Sequence, residues 1–339
     1  MTVDQERTTT CGSGVEPRLV VRLLVAANRL FKAPKDPARY DSVERSLVWQ
    51  AGCARDTDRR LAIGGTADLA LDVGCGTGGK SLQRVTAGAA RRVVGLDVRF
   101  AAVAQASRTA ADSPVARGRV TFLVGSAESL PFRAGLLGRV YLDDVLEHVC
   151  SPEVAIREAL RVLRTGGQLS ATFPPFFSPY GSHLGGFLHC PWLHVLLGRR
   201  TLEEACSLAW ARGETPLRRS GIGPSYIEWM AGFRSLNHLS IRRCRLAICG
   251  LRGARLERFG KTHSGFARAA LKYLPVVEEL AAGNCLFVLG RTQDESRVTW
   301  GDFAQAELRA LAEDLRRAVP RLCRAFSGRR THAGRGTGL

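Results

Sequence analysis

The spacing of apolar and polar residues changes several times along the chain, and each change marks a boundary. Residues 1–16 are polar and read as disordered. The segment PRLVVRLLVAANRLFK (17–32) follows, with Arg18, Arg22, Arg29 and Lys32 at helical spacing and Leu or Val elsewhere. That pattern predicts a helix opened by Pro17 and closed by Pro34. It would serve either as a cap on the domain that follows or as an interfacial helix on an anionic membrane. From Leu69 the rhythm becomes an alternation. LALDV (69–73), RVVGLDV (92–98), VTFLV (120–124), RVYLDD (139–144) and GQLSATF (167–173) are short apolar runs rich in β-branched residues. Between them KSLQRVTAGA, FAAVAQASRTAAD and SPEVAIREALRVL have helical periodicity, the last with Ser151 as N-cap and Pro152 in its first turn. Continuous apolar strands separated by helices predict a parallel sheet covered on both faces.

After Pro174 the alternation gives way to a stretch rich in Phe, Trp, His, Pro and Gly. It resumes with a helix around 239–250, strands at 254–259 and 284–290, an amphipathic helix FAQAELRALAEDLRRAV, and a basic tail. Three regions follow: a disordered N-terminus with a helical cap (1–66), an α/β domain (67–292) carrying a substrate-covering insertion (175–239), and a helix with a basic tail (293–339).

Composition adds less than its extremes suggest. The net charge is +18, but only five of the 49 basic residues are Lys, so much of the excess looks like coding bias toward Arg. Seven Arg and no acid lie between Arg316 and Leu339, which leaves RNA contact open as a second reading. The ten Cys are scattered without a C-x-x-C pair and read as free thiols. No apolar run reaches the roughly 18 residues needed to span a bilayer, and the N-terminus lacks signal-peptide order. A cytoplasmic protein, possible membrane association aside, is the expectation.

Candidate chemistry is concentrated in LALDVGCGTGG (69–79), where a strand runs into Gly74, Gly76, Gly78 and Gly79. Such a loop lets backbone N–H groups approach a nucleotide-like ligand. Asp72 sits two residues before the first glycine; it would repel a dinucleotide pyrophosphate and attract a cation bearing an amino group. Asp97 ends the second strand, where a carboxylate can accept both ribose hydroxyls.

With these residues the sequence resembles the class I S-adenosylmethionine-dependent methyltransferases, in particular the group that includes ubiquinone- and menaquinone-biosynthesis enzymes. LDVGCGTG (71–78), VVGLDV (93–98), VGSAESLPF (124–132), VYLDDVLEHV (140–149) and RVLRTGGQLSATFP (161–174) follow that group's motif order. The resemblance implies a Rossmann-like, doubly wound fold with a seven-stranded, mostly parallel sheet, an antiparallel last strand and a helical lid insertion. It implies S-adenosyl-L-methionine as cofactor, with Gly74, Cys75, Gly76 and Gly78 against the methionine half and Asp72 toward its ammonium. Asp97 would hold the ribose, with Ser126, Ala127 and Glu128 by the adenine and Asp144 beside the cofactor. Serine at 126, where the family often has Asp, implies weaker or altered adenine binding.

Methyl transfer needs alignment and, for a hydroxyl acceptor, removal of a proton. His148 and His183 are the candidate bases. One helical turn would place Asp144, Glu147 and His148 on one side; structural support, base and metal ligand are all open for this cluster, and no metal is assigned. Tyr180 shares the loop of His183, while His189, Trp192 and His194 fall in the lid. Phe176, Phe177, Phe187, Trp192 and Trp210 favour an apolar pocket. FPPF (173–176) follows the fifth strand and lacks a polar first residue, which argues against base amino-group methylation. The expected function is methyl transfer to a small apolar or lipid-like acceptor, most readily on oxygen. Nucleic acid is not the expected partner, residues 18–32 offer peripheral membrane contact, and the oligomeric state is open. RNA methylation and non-catalytic cofactor binding are the alternatives.

Overall fold

The computed structural model describes residues 18–31, 43–215, 226–262, 274 and 277–329. The expected disorder of 1–16 and the end of the basic tail lie outside these residues, as does Lys32. The predicted first helix forms as α1 (Leu19–Ala27), extended by a 3-10 turn over Asn28–Leu30.

Seven strands build one sheet in the order β3-β2-β1-β4-β5-β7-β6. They are β1 (Ala67–Val73), β2 (Ala90–Asp97), β3 (Val120–Val124), β4 (Leu137–Asp143), β5 (Leu163–Phe173), β6 (Ala254–Lys261) and β7 (Cys285–Arg291). The first five are parallel, whereas β7 runs antiparallel between β5 and β6. The parallel part is what the alternation predicted, and the seven-stranded, doubly wound arrangement with β7 antiparallel is what the family resemblance implied. The order reverses at β1, where β2 lies on one side and β4 on the other, so a crevice opens at their carboxyl ends.

Helices α3 (Gly79–Thr86), α4 (Phe100–Asp112) and α5 (Pro152–Val162) are the crossovers. Ser151 caps α5 by accepting from the Val154 N–H, as its sequence indicated. Two core clusters result. One joins β4, β5, β7 and α5 around Leu142, Ile156 and Phe287; the other joins β2, β3 and α4 around Val93, Ala106 and Phe122.

Helix α2 (Val43–Arg60) was not foreseen. Its sequence VERSLVWQAGCARDTDRR is charged and interrupted by Gly52, with no apolar stripe to reveal it. Packing on α3 sustains it instead. The 175–239 insertion contributes α6 (Leu193–Leu196), α7 (Arg199–Ala211) and α8 (Tyr226–Arg234), which enclose a third cluster with Val21 and Val25 of α1. Helix α9 (Ile241–Ile248) returns the chain to the sheet. Beyond β6 come α10 (Glu278–Ala281) and, after β7, the long α11 (Trp300–Arg329), which packs on β6.

Candidate active site

The glycine loop leaves β1 by backbone geometry that side chains disfavour. Gly74, Gly76 and Gly78 have φ of 66°, 55° and 88°. A Cβ on Gly78 would fall 2.7 Å from the Phe122 ring and one on Gly74 2.5 Å from Val145, whereas at Gly76 the nearest atom is 3.9 Å away. The outer two glycines therefore let the loop pack down, and the middle one faces open space. The Gly74 and Cys75 N–H groups both donate to the Leu96 carbonyl, which ties the loop to β2. The Cys75 side chain is buried, and burial beside Asp72 and Asp97 pushes its thiol pKa well up. It is a packing residue, not a nucleophile.

Asp97 is nearly buried and accepts from the N–H groups of Gly76 and Arg99, each at 2.9 Å. A carboxylate and the open glycine are thus adjacent at the end of β2. Beside it Val98 and Val124 are 67 % and 50 % exposed, an apolar rim of the kind an adenine plane covers. Ser126 accepts from the Glu128 N–H, and Ala127 is buried in the core. The Glu128 carboxylate points to the start of α5, where the N–H groups of Cys150 and Ser151 donate to it.

Asp72 has a different environment from its neighbours. It is 1 % exposed, and its oxygens accept from Arg84 at 2.6 Å and from the Ser81 hydroxyl at 2.5 Å. The fully buried Arg84 also pairs with Asp143 and lies over the Tyr141 ring. Burial disfavours its charge, but Asp72 and Asp143 outweigh that and raise its pKa further. Asp72 was expected to face a cofactor ammonium directly or through water; its two oxygens brace β1 to Ser81 and Arg84 of α3.

Three other polar residues escaped the sequence reading. Gln50, from α2, accepts from the Gly79 N–H and donates to Thr77, so it clamps the glycine loop. Lys80 donates to the Asp143 carbonyl at 3.1 Å and lies 3.4 Å from the Asp144 carboxylate. Burial opposes its charge, yet Asp144 and Asp143 hold its pKa above the ordinary lysine value. Asn237 donates to the Leu146 and Val149 carbonyls, each at 2.7 Å, fastening the turn after β4. None belongs to a local motif; each works across a long sequence separation.

That turn is not the helical turn expected for Asp144, Glu147 and His148. Asp144 takes φ of 60°, the left-handed region, and residues 146–148 form a hydrogen-bonded turn. Asp144 consequently faces Lys80, while Glu147 and His148 meet His183 from the loop after β5. Glu147 Oε1 is 3.6 Å from His183 Nε2 and 3.9 Å from His148 Nε2, and the two imidazole rings are 4.9 Å apart. Glu147 is buried and both histidines reach partial exposure. One ligand atom from each of the three residues lies within 4.8 Å of the others, so this set, without Asp144, can also hold a cation.

The remaining lid residues serve the lid. Tyr180 donates to the His189 carbonyl and Trp192 to that of Leu280. The Phe176 carbonyl lies 2.6 Å from His194 Nε2; burial lowers the pKa of that imidazole. Phe187 and Trp210 pack with Tyr226 and Trp229 inside the cap core, while Phe177 stays partly exposed.

Residues 71–171 match the methyltransferase domain family. This stretch is a methyltransferase domain. The chain is 32 % identical over 165 residues to the ubiquinone/menaquinone biosynthesis C-methyltransferase of Syntrophotalea carbinolica, covering 47 % of this chain and 65 % of that one. It is 30 % identical over 135 residues to an O-methyltransferase of Aspergillus nomiae, covering 40 % and 57 %. The chain thus spans less than two thirds of either relative's length. Among solved structures, the PH0226 protein of Pyrococcus horikoshii aligns over 79 % of this chain and 99 % of its own, with 18 % identity and a TM-score of 0.43. The cofactor of the methyltransferase domain is S-adenosylmethionine. The open Gly76 backbone, the adjacent Asp97 carboxylate and the apolar rim fit that molecule's methionine, ribose and adenine portions.

Proposed function

We propose that this protein transfers the methyl group of S-adenosylmethionine to an oxygen of a small, apolar or lipid-like acceptor. The observation that carries the reading is the meeting of Glu147, His148 and His183 at the carboxyl ends of β4 and β5. The donor brings an already activated methyl carbon. The protein must then align the acceptor and remove its proton. An imidazole beside a buried carboxylate suits the second task, because the carboxylate orients the ring and stabilises the imidazolium formed. The names of the two relatives mention carbon and oxygen, so relatedness does not select the atom. The histidines favour oxygen, whose proton must leave. Gly74, Gly76 and Gly78 would hold the methionine portion through the backbone and Asp97 the ribose, with Asp144 and Lys80 fixing the edge nearest the histidines.

The test uses methyl-labelled cofactor with hydroxylated aromatic and lipid extracts. His183→Gln and His148→Gln should each slow transfer, about 100-fold for the one acting as base, with cofactor affinity unchanged and the rate rising through the imidazole titration range. A chelator should leave the rate unaltered; a loss would reassign the cluster to holding a metal. Full activity of both variants from pH 6 to 9 would remove the base, and labelling of RNA in place of small molecules would remove the acceptor class.

A further inference from the structure

Helix α1 is held to the rest of the cap along a narrow seam. Val21, Val25 and Asn28 are its buried residues. Each end is pinned by polar contacts. Arg18 donates to Glu204 and Thr201 of α7, and the Asn28 amide donates to the Phe187 carbonyl and accepts from the His189 N–H. The opposite face is apolar and open. Leu19 is 70 % exposed, Leu23 59 % and Leu30 83 %, with Val20 and Phe31 beside them. A soluble surface seldom leaves so many large apolar side chains together without a partner.

The charges indicate which partner fits. Residues 17–32 contain Arg18, Arg22, Arg29 and Lys32 and no acid, in a chain of net charge +18. A second copy seated on this face would bring like charges together with no acid on the segment to compensate. A leucine face on a segment that carries four cations and no acid of its own matches the interface of an anionic bilayer, where leucines enter the acyl boundary and basic side chains meet headgroup phosphates.

We infer that α1 docks this protein peripherally on an anionic lipid surface. Docking would bring the lid to the bilayer, because Asn28 grips residues 187 and 189, a few positions beyond His183. A lipid-like acceptor would then enter from the membrane side. Only this purpose rests on the proposed function, since binding to lipid is read without methyl transfer.

The full chain is sedimented with vesicles of phosphatidylcholine alone and of phosphatidylcholine with phosphatidylglycerol. Binding is expected to the anionic vesicles only. Arg22→Gln should weaken it roughly fivefold. The pair Leu19→Gln and Leu23→Gln should weaken it at least tenfold, while Arg329→Gln, Arg330→Gln and Arg335→Gln together should leave the leucine-dependent part intact. Hydrogen exchange on the unaltered chain gives a readout that needs no variant: amides of 19–31 should be protected by anionic vesicles. No binding, binding lost only in the tail variant, or unchanged exchange over 19–31 would each overturn the proposal. So would leucine-dependent self-association without vesicle binding.

Discussion

The glycine-loop half of the sheet and the helical cap both surround the candidate site, but they are built on different physical terms. Around β1, β2 and β4 charged groups are paired at or below the surface: Arg84 serves Asp72 and Asp143, Asp97 takes two amides, and Lys80 closes on Asp144. The cap has an aromatic interior, and its salt bridges, such as Arg234 with Glu203, lie at its surface. The first region holds its parts in one geometry because a misplaced buried charge is costly. Aromatic packing carries no such penalty, so a change in the cap costs only the packing it removes.

The largest effect should separate these terms directly. Arg84→Met leaves two buried carboxylates uncompensated and should cost about 3–5 kcal/mol in urea unfolding. A cap change of similar size that cost as much would erase the contrast. Next, Asp97→Ala should weaken S-adenosylmethionine binding on the order of 100-fold in calorimetric titration, through loss of charge-assisted ribose bonds. Unchanged affinity would detach the end of β2 from the cofactor.

A pH experiment sharpens the comparison inside the buried half. Burial raises the Asp58 pKa from 3.8 to about 6, with Asp143 and Asp72 adding to the rise and Arg84 and Arg139 opposing it. Between those values the folded state binds more proton than the unfolded chain. Stability from this group is therefore present below about pH 4 and lost as pH rises through 6. Asp58→Asn should gain roughly 2–3 kcal/mol at pH 8 and little at pH 4; equal gains at both would show that Asp58 is not titrating. The smallest effect belongs to the cap. Asn28→Ala removes two hydrogen bonds and should cost about 1–2 kcal/mol, visible as faster hydrogen exchange over 184–190 with β1–β5 unaffected.

Legibility in the sequence followed the same division. The five parallel strands were readable because strands covered on both faces read as short apolar runs, and the loop after β1 because its left-handed residues demand glycine at 74, 76 and 78. Helix α2 was not, since its own residues carry no periodic signal and its stability comes from α3. Gln50 and Asn237 were invisible for a related reason: each acts on a loop far away in sequence.

The amino-acid order by itself determined the α/β alternation, the cofactor-type loop and the identity of the two candidate histidines, because each depends on local period, backbone conformation or side-chain chemistry, and the family resemblance added the antiparallel last strand. Only the tertiary structure decided which groups face each other. It turned Asp72 to Arg84, gave Asp144 to Lys80 and joined Glu147 and His148 to His183. Those pairings depend on a left-handed residue at 144 and on two loops meeting at neighbouring strand ends, and neither leaves a pattern in the spacing of residues.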